Sequence, residues 1–235
     1  MTTIGRRERN KAEKRERIIA AAAELFTRQG FARTTTQQVA AAADVADGTV
    51  FRYAGTKPEL LLMVINTELA PLLASGRTAA QAASGTEDAI MAAMEPLLDL
   101  AERQPGNAGP FLREVLFGEP GPHRDESLTL VDGIIAVLAG LLAPDQPDGA
   151  VVDASGHTPP AAPRAMLPEG LTPTDAASWM FSALVAELLR DLVGRTPDAD
   201  RRAVVRIRVR VLLRGLGVTG PGRGGFHGRD HALAS

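Results

Sequence analysis

Apolar positions recur at helical spacing along most of the chain. Ile18, Ile19, Ala22, Leu25 and Phe26 follow i, i+3, i+4, i+7 steps, which predicts a helix from Asn10 to Gln29 ended by Gly30. Thr35-Thr36-Gln37-Gln38 is a capping box and predicts a second helix through Val39 to about Ala43. A short break at Asp44-Val45-Ala46 precedes a third helix, about Asp47 to Tyr53, which Gly55 breaks. Thr56-Lys57-Pro58-Glu59 reads as a second capping box, opening a long apolar helix from Leu60 to Leu73. Phe26, Phe31, Val39, Val45, Val50 and Leu60 are the core positions of this unit. The few residues between the second and third helices suggest a helix-turn-helix.

Further helices are predicted over Glu87–Gln104, Gly109–Phe117, Glu126–Leu142, Pro173–Val193 and Pro197–Leu216. The stretch Val205–Val211 alternates strictly, as a strand would. Val205, Val209, Leu212, Leu213 and Leu216 also form one helical stripe, with Arg202, Arg206, Arg210 and Arg214 beside it. Helix is the reading taken and strand the alternative. Residues 144–173, rich in Pro, Gly, Asp and Ala, predict a long mobile loop. The Gly-rich segment from Gly217 onward predicts a disordered tail. The expected fold is all-α: a basic arm (1–10), a helix-turn-helix domain (11–70), a larger helical domain (71–217) and a tail (218–235).

Charge changes this picture. The 235 residues carry a net charge of −2, yet residues 1–57 sum to +5 and the remainder to −7. A basic head on an acidic body points to a polyanion at one end. Only 3 of the 26 basic residues are Lys, so the abundance of Arg reflects overall residue usage as much as function. Absence of cysteine excludes disulfides, thiolate metal sites and Cys nucleophiles. The longest apolar run, Gly133 to Ala143, is too short to span a bilayer, and Ile18–Ala23 is followed by Glu24 without a signal cleavage site. No membrane-spanning segment and a cytoplasmic location are therefore expected.

The spaced elements of residues 15–61 resemble one family. Arg15–Phe31 looks like the first helix of TetR-type transcriptional regulators, Thr34–Val45 like the second, and Gly48–Tyr53 followed by Thr56–Leu61 like the recognition helix and the start of the fourth. The resemblance implies double-stranded DNA as partner, a homodimer and a small-molecule effector. Gly48 and Thr49 are small where a helix enters the major groove. Arg52 is placed to reach a base or phosphate, and Phe51 a thymine methyl. Thr34 and Thr35 sit at a helix N-terminus able to face phosphate. Tyr53 and Lys57 correspond to backbone-contact positions in the family. Arg6, Arg7, Arg9 and Lys11 form an arm able to enter the minor groove. Ala46 replaces a frequent Ser cap, Asp47 a basic or polar residue, Phe51 a Tyr and Ala54 a Phe.

By the same resemblance, and because helical bundles hold small molecules between their helices, an effector pocket is expected in the C-terminal region. Met91, Met94, Phe111, Phe117, His123, Trp179 and Phe181 are the candidate lining. With 9 aromatic residues in the chain, an apolar or amphipathic effector is favoured over stacked planar compounds. The last two long helices are expected to pair with those of a second copy through Leu184, Leu188, Leu189, Val205, Val209 and Leu212, with Arg206 and Arg210 at the rim facing Glu187 or Asp191 of that copy.

Enzymatic readings find little support. His227 and His231 have ligand spacing, with Asp230 alongside, but lack a third rigid ligand. Asp153, Ser155 and His157 are too close in one loop to act as a triad, and no Gly-x-Ser-x-Gly or phosphate loop occurs. Neither a metal, a cofactor nor catalysis is expected. The reading is a ligand-responsive DNA-binding regulator, a repressor released by a small molecule. The alternatives are a helical regulator acting through protein contacts and a small helical enzyme.

Overall fold

A computed structural model describes residues 5–143, 167–190 and 200–218. Among these residues there are nine α-helices and no strand: α1 (Arg6–Arg33), α2 (Thr36–Ala42), α3 (Asp47–Val50), α4 (Lys57–Ala82), α5 (Thr86–Arg103), α6 (Pro105–Phe117), α7 (Pro122–Leu142), α8 (Pro173–Leu189) and α9 (Arg201–Gly215). The predicted His227, His231 and Asp230, the Asp153–His157 run and most of the 144–173 loop lie outside the described residues, as does Pro197.

Local chemistry starts and stops these helices. Proline occupies the first turn of α4, α6, α7 and α8, where its missing N–H would be unpaired in any case. Thr35 accepts from the Gln38 N–H while the Gln38 side chain accepts from the Thr35 N–H, the predicted box. Thr56 makes half of the second one. Its hydroxyl accepts from the Glu59 N–H, but Glu59 Oε2 turns back one residue further and accepts from the Gly55 N–H at 2.7 Å. Thr172 and Asp175 form a full box at α8 that the sequence reading had not singled out.

Two expected boundaries are corrected. The basic arm is not separate: helix α1 already includes Arg6, so Arg7, Arg9 and Lys11 extend it on solvent-exposed positions. The predicted tail does not begin at Gly217, since Val218 is buried and its N–H bonds the Leu213 carbonyl. One helix, Lys57–Ala82, is long and apolar enough to cross a membrane by length and composition, and half of its most apolar window is buried inside the chain. Residues 205–211 are helical, so the strand alternative falls.

Two apolar cores share α4. The first holds Ile18, Ala22, Phe26, Val39, Val50, Leu60, Leu61 and Val64, with Phe31 and Val45 packed on its margin. The second is a bundle of α5, α7, α8 and α9 built on Ile90, Met94, Leu98, Leu138, Met180, Leu184, Val205 and Val209. Gly76 lets α4 cross α5 closely, because a Cβ there would sit 2.9 Å from Pro96 Cγ. α9 is held to α5 by charge. Arg202 pairs with Glu95, Asp99 and Glu102, Arg206 with Glu87 and Asp88, and Arg210 with Glu87. Arg202, Arg206 and Arg210 are thus ion-paired within one chain, on α5. Glu187 is itself buried and lies 2.8 Å from Arg208; Asp191 lies outside the described residues.

Candidate nucleic-acid interface and ligand cavity

Helices α2 and α3 are joined through Asp44, whose left-handed φ of 52° makes the tight corner of the helix-turn-helix. Arg17 pairs with Asp44 across that corner at 3.3 Å. α3 is short, but its turn continues: the Tyr53 and Ala54 amides both donate to the Val50 carbonyl. Ala46 is the N-cap and makes no side-chain cap bond, as its methyl dictates. Asp47, Gly48, Phe51 and Arg52 are exposed on this element. Ala54 is buried beneath it.

Several predicted contact residues stand elsewhere than expected. Thr34 is 1% exposed; its hydroxyl donates to the Gly30 carbonyl and accepts from Gln29 Nε2. Thr49 is 9% exposed and its hydroxyl accepts from Arg52. Both side chains complete the packing of the elements that carry them. Tyr53 is half-buried and its hydroxyl donates to the Lys11 carbonyl at 3.0 Å, so its proton is committed to α1. Lys57 folds back over the end of α1: its ammonium is 4.3 Å from the Phe31 ring centroid and 3.4 Å from the Ala32 carbonyl. Burial there lowers its pKa from the usual lysine value.

The extended α1 supplies what these residues do not. Arg7, Lys11 and Lys14 share one face of the helix, at i, i+4 and i+7, and line a single surface cleft with Arg52, Tyr53, Asn10 and Glu8. The N-terminal cations therefore stand beside the exposed end of α3 on a rigid support.

A second site lies in the bundle. A cavity of about 70 Å³ lies between α4, α5, α6, α7 and α8, with Leu69, Leu97, Leu112, Val131, Ile134 and Leu188 in its apolar wall. Of the predicted lining, Phe111 and Phe181 are there. Met91 and Met94 are core residues away from the cavity wall. Phe117 is 81% and Trp179 51% exposed, on faces of α6 and α8 that point outward. His123 is used otherwise: its Nε2 meets the Tyr53 carbonyl at 3.0 Å.

Three polar residues that the apolar pattern does not single out also line this wall: Gln104, Asn107 and Ser127. Their signal was present as polar interruptions in apolar helices. Asn66 is another, inside the apolar run of α4; its Nδ2 donates to the His123 carbonyl and its Oδ1 accepts from Ser127.

The predicted dimer residues are also relocated. Leu184, Leu188, Val205 and Val209 are buried within one chain, and Leu184 and Leu188 line the cavity. Leu189 and Leu212 are half-buried. Ile207 and Val211 on α9 and Trp179 on α8 are the large apolar side chains exposed on these two helices.

This geometry coincides with a known pattern. The family described as bacterial regulatory proteins, tetR family, matches residues 18–64. Residues 18–64 are a TetR-family domain. The HTH-type transcriptional regulator TcmR of Streptomyces glaucescens is 30% identical over 128 residues, which span 46% of this chain and 57% of TcmR. The chain thus spans little more than half the length of that relative. Thermus thermophilus FadR, a TetR-family repressor solved with lauroyl-CoA, has the same fold: TM-score 0.62, 24% identity, 90% of this chain and 100% of that one. FadR of Bacillus subtilis, solved with stearoyl-CoA, gives 0.59 and 17% over 85% and 98%. Around the TetR-family domain, therefore, the whole described helical architecture follows the arrangement of these regulators.

Proposed function

We propose that the protein is a dimeric, ligand-responsive transcriptional regulator that binds double-stranded DNA in the cytoplasm, acting as a repressor released by an apolar or amphipathic small molecule. The observation that carries this reading is the cleft shared by Arg7, Lys11 and Lys14 of α1 with Arg52 and Tyr53. Those four cations flank an exposed helix end whose first residues, Asp47 and Gly48, are small enough to enter a major groove. Arg52 and Phe51 meet base edges, while Arg7, Lys11 and Lys14 meet phosphates. The helical form of residues 6–14 favours phosphate contact over insertion of these residues into the minor groove as a flexible arm.

Two-fold operators need two reading heads about 34–36 Å apart, or a multiple of this. Exposed Ile207, Val211 and Trp179 offer the apolar seam for a second copy, in place of the buried leucines and valines first considered. For the effector, the aliphatic wall of the cavity and the acyl-CoA complexes of the two fold relatives favour a fatty acyl chain. Its present volume is well below the ~300–1,000 Å³ of occupied small-molecule sites. A ligand must therefore move the wall, which is how binding energy acquires a preference for one conformation over another.

Mobility shift on DNA fragments enriched by the purified protein, with and without lauroyl-CoA, tests the reading. A shifted band that lauroyl-CoA abolishes is the expected result. A band unaffected by any acyl-CoA overturns the effector class, and no retained DNA overturns the regulator itself.

A further inference from the structure

The cavity wall is apolar but for Gln104, Asn107 and Ser127, and one of these reaches the DNA-reading unit directly. Asn107 is 1% exposed. Its Oδ1 accepts the backbone N–H of Phe31 at 2.8 Å, 76 residues away in sequence. Its Nδ2 donates to Gln104 Oε1 at 2.9 Å, and Gln104 Nε2 donates in turn to Glu68 Oε2 of α4 at 2.7 Å.

The contact with Phe31 has a specific backbone cause. Gly30 takes φ 77° and ψ 162°, which interrupts α1 and frees the following N–H from the helical ladder. A buried donor without a partner is costly, and Asn107 is the partner it finds. The approach is possible because Gly30 faces Gly106, where an added Cβ would lie 3.4 Å from the Gly30 Cα. The held turn ends at Thr34, immediately before the cap of α2.

We infer that Asn107 is the positioning residue through which occupancy of the cavity reaches the helix-turn-helix. This rests on the ligand-responsive reading above. A ligand larger than the cavity pushes on α6, and the Asn107 amide cannot follow both α6 and Phe31. Breaking that hydrogen bond releases the last turn of α1 and with it the start of α2. The apolar wall suits an acyl chain; the Asn107 amide, which touches both cavity and α1, carries the response.

Two measurements test this. The first is hydrogen exchange at the Phe31 amide, by NMR, in the full chain with and without saturating lauroyl-CoA. Exchange is expected to quicken at least tenfold on saturation, and an unchanged rate overturns the proposal. The second is Asn107→Leu, which keeps the branched shape but removes the amide acceptor and donor. On DNA selected by the wild-type protein, its affinity is expected to fall at least tenfold, and the ratio of affinities without and with saturating lauroyl-CoA to approach one. A variant that keeps the wild-type ratio overturns the proposal; a merely structural role lowers DNA affinity and leaves the ratio intact. If Asn107→Leu does not fold, the exchange measurement decides. If the wild-type chain binds no lauroyl-CoA, the effector reading fails, and Ala108→Phe, which puts a ring into the cavity, replaces the ligand: faster Phe31 exchange then supports the role of Asn107 and unchanged exchange contradicts it.

Discussion

The His123 side chain on α7 holds the carbonyl of Tyr53, the residue at the end of the recognition element, with Nε2 and oxygen 3.0 Å apart. A carbonyl only accepts, so the imidazole carries its proton on Nε2. The backbone carbonyl of the same His123 accepts from Asn66 of α4, which ties α3, α4 and α7 at one point. His123→Ala should cost about 1–3 kcal/mol, the range for leaving a buried group unpaired. Thermal melting reads the effect, and operator affinity should fall with it. An unchanged melting temperature would show that this link contributes nothing.

Much of this arrangement was legible in the sequence where one local rule decided it. Thr35 and Gln38 stand three apart and do form the reciprocal cap. Of the core positions that spacing predicts, Phe26, Val39, Val50 and Leu60 are buried, while Phe31 and Val45 are half-buried at the margin. What was not legible depends on distant partners. The stripe at Val205 and Val209 is apolar whether it faces a second copy or its own bundle, and only the acidic face of α5 opposite the arginines turns it inward. Thr49 was assigned to the groove as a small polar residue, yet the rotation of its helix buries it. Asn107 is a polar interruption in the sequence, but its partner exists only through the broken helix at Gly30.

Within the helix-turn-helix, substitutions should now separate by role. Arg52→Ala should weaken DNA binding or change base preference by about 1–3 kcal/mol if its contact is bidentate. Tyr53→Phe deletes the bond to the Lys11 carbonyl and should lower stability by about 0.5–1.5 kcal/mol. Thr49→Ala should act through folding and leave base preference alone. Binding-site selection with each variant checks this, and a changed consensus for Thr49→Ala would return that residue to the groove.

For the assembly, Ile207→Asp with Val211→Asp should give a folded monomer in sedimentation, since a charge buried unpaired in a seam costs several kcal/mol. Val209→Asp should instead lower helix content, because Val209 lies in the core of the chain. A dimer that survives the double substitution places the seam elsewhere.

Acid should loosen α9. Hydrogen bonding from Arg210 holds the Glu87 carboxyl below its ordinary value of 4.5. A lowered pKa stabilises the fold above that ordinary value and ceases to do so as pH falls through the lowered one. Glu87→Gln should therefore melt earlier than the wild-type chain at neutral pH, with the gap closing well below pH 4.5. A gap that persists in acid would assign the effect to packing.

Selection of DNA from a random pool by the purified chain, followed by affinity measured against salt, tests the central claim most directly. The account predicts enrichment of a two-fold sequence with half-sites about one helical turn apart. Its affinity should fall with salt, and Lys11→Ala with Lys14→Ala should flatten the slope of log K against log salt by ~0.9 for each phosphate that is no longer neutralised. A pool that emerges without enrichment, or binding whose salt slope ignores both lysines, would contradict it.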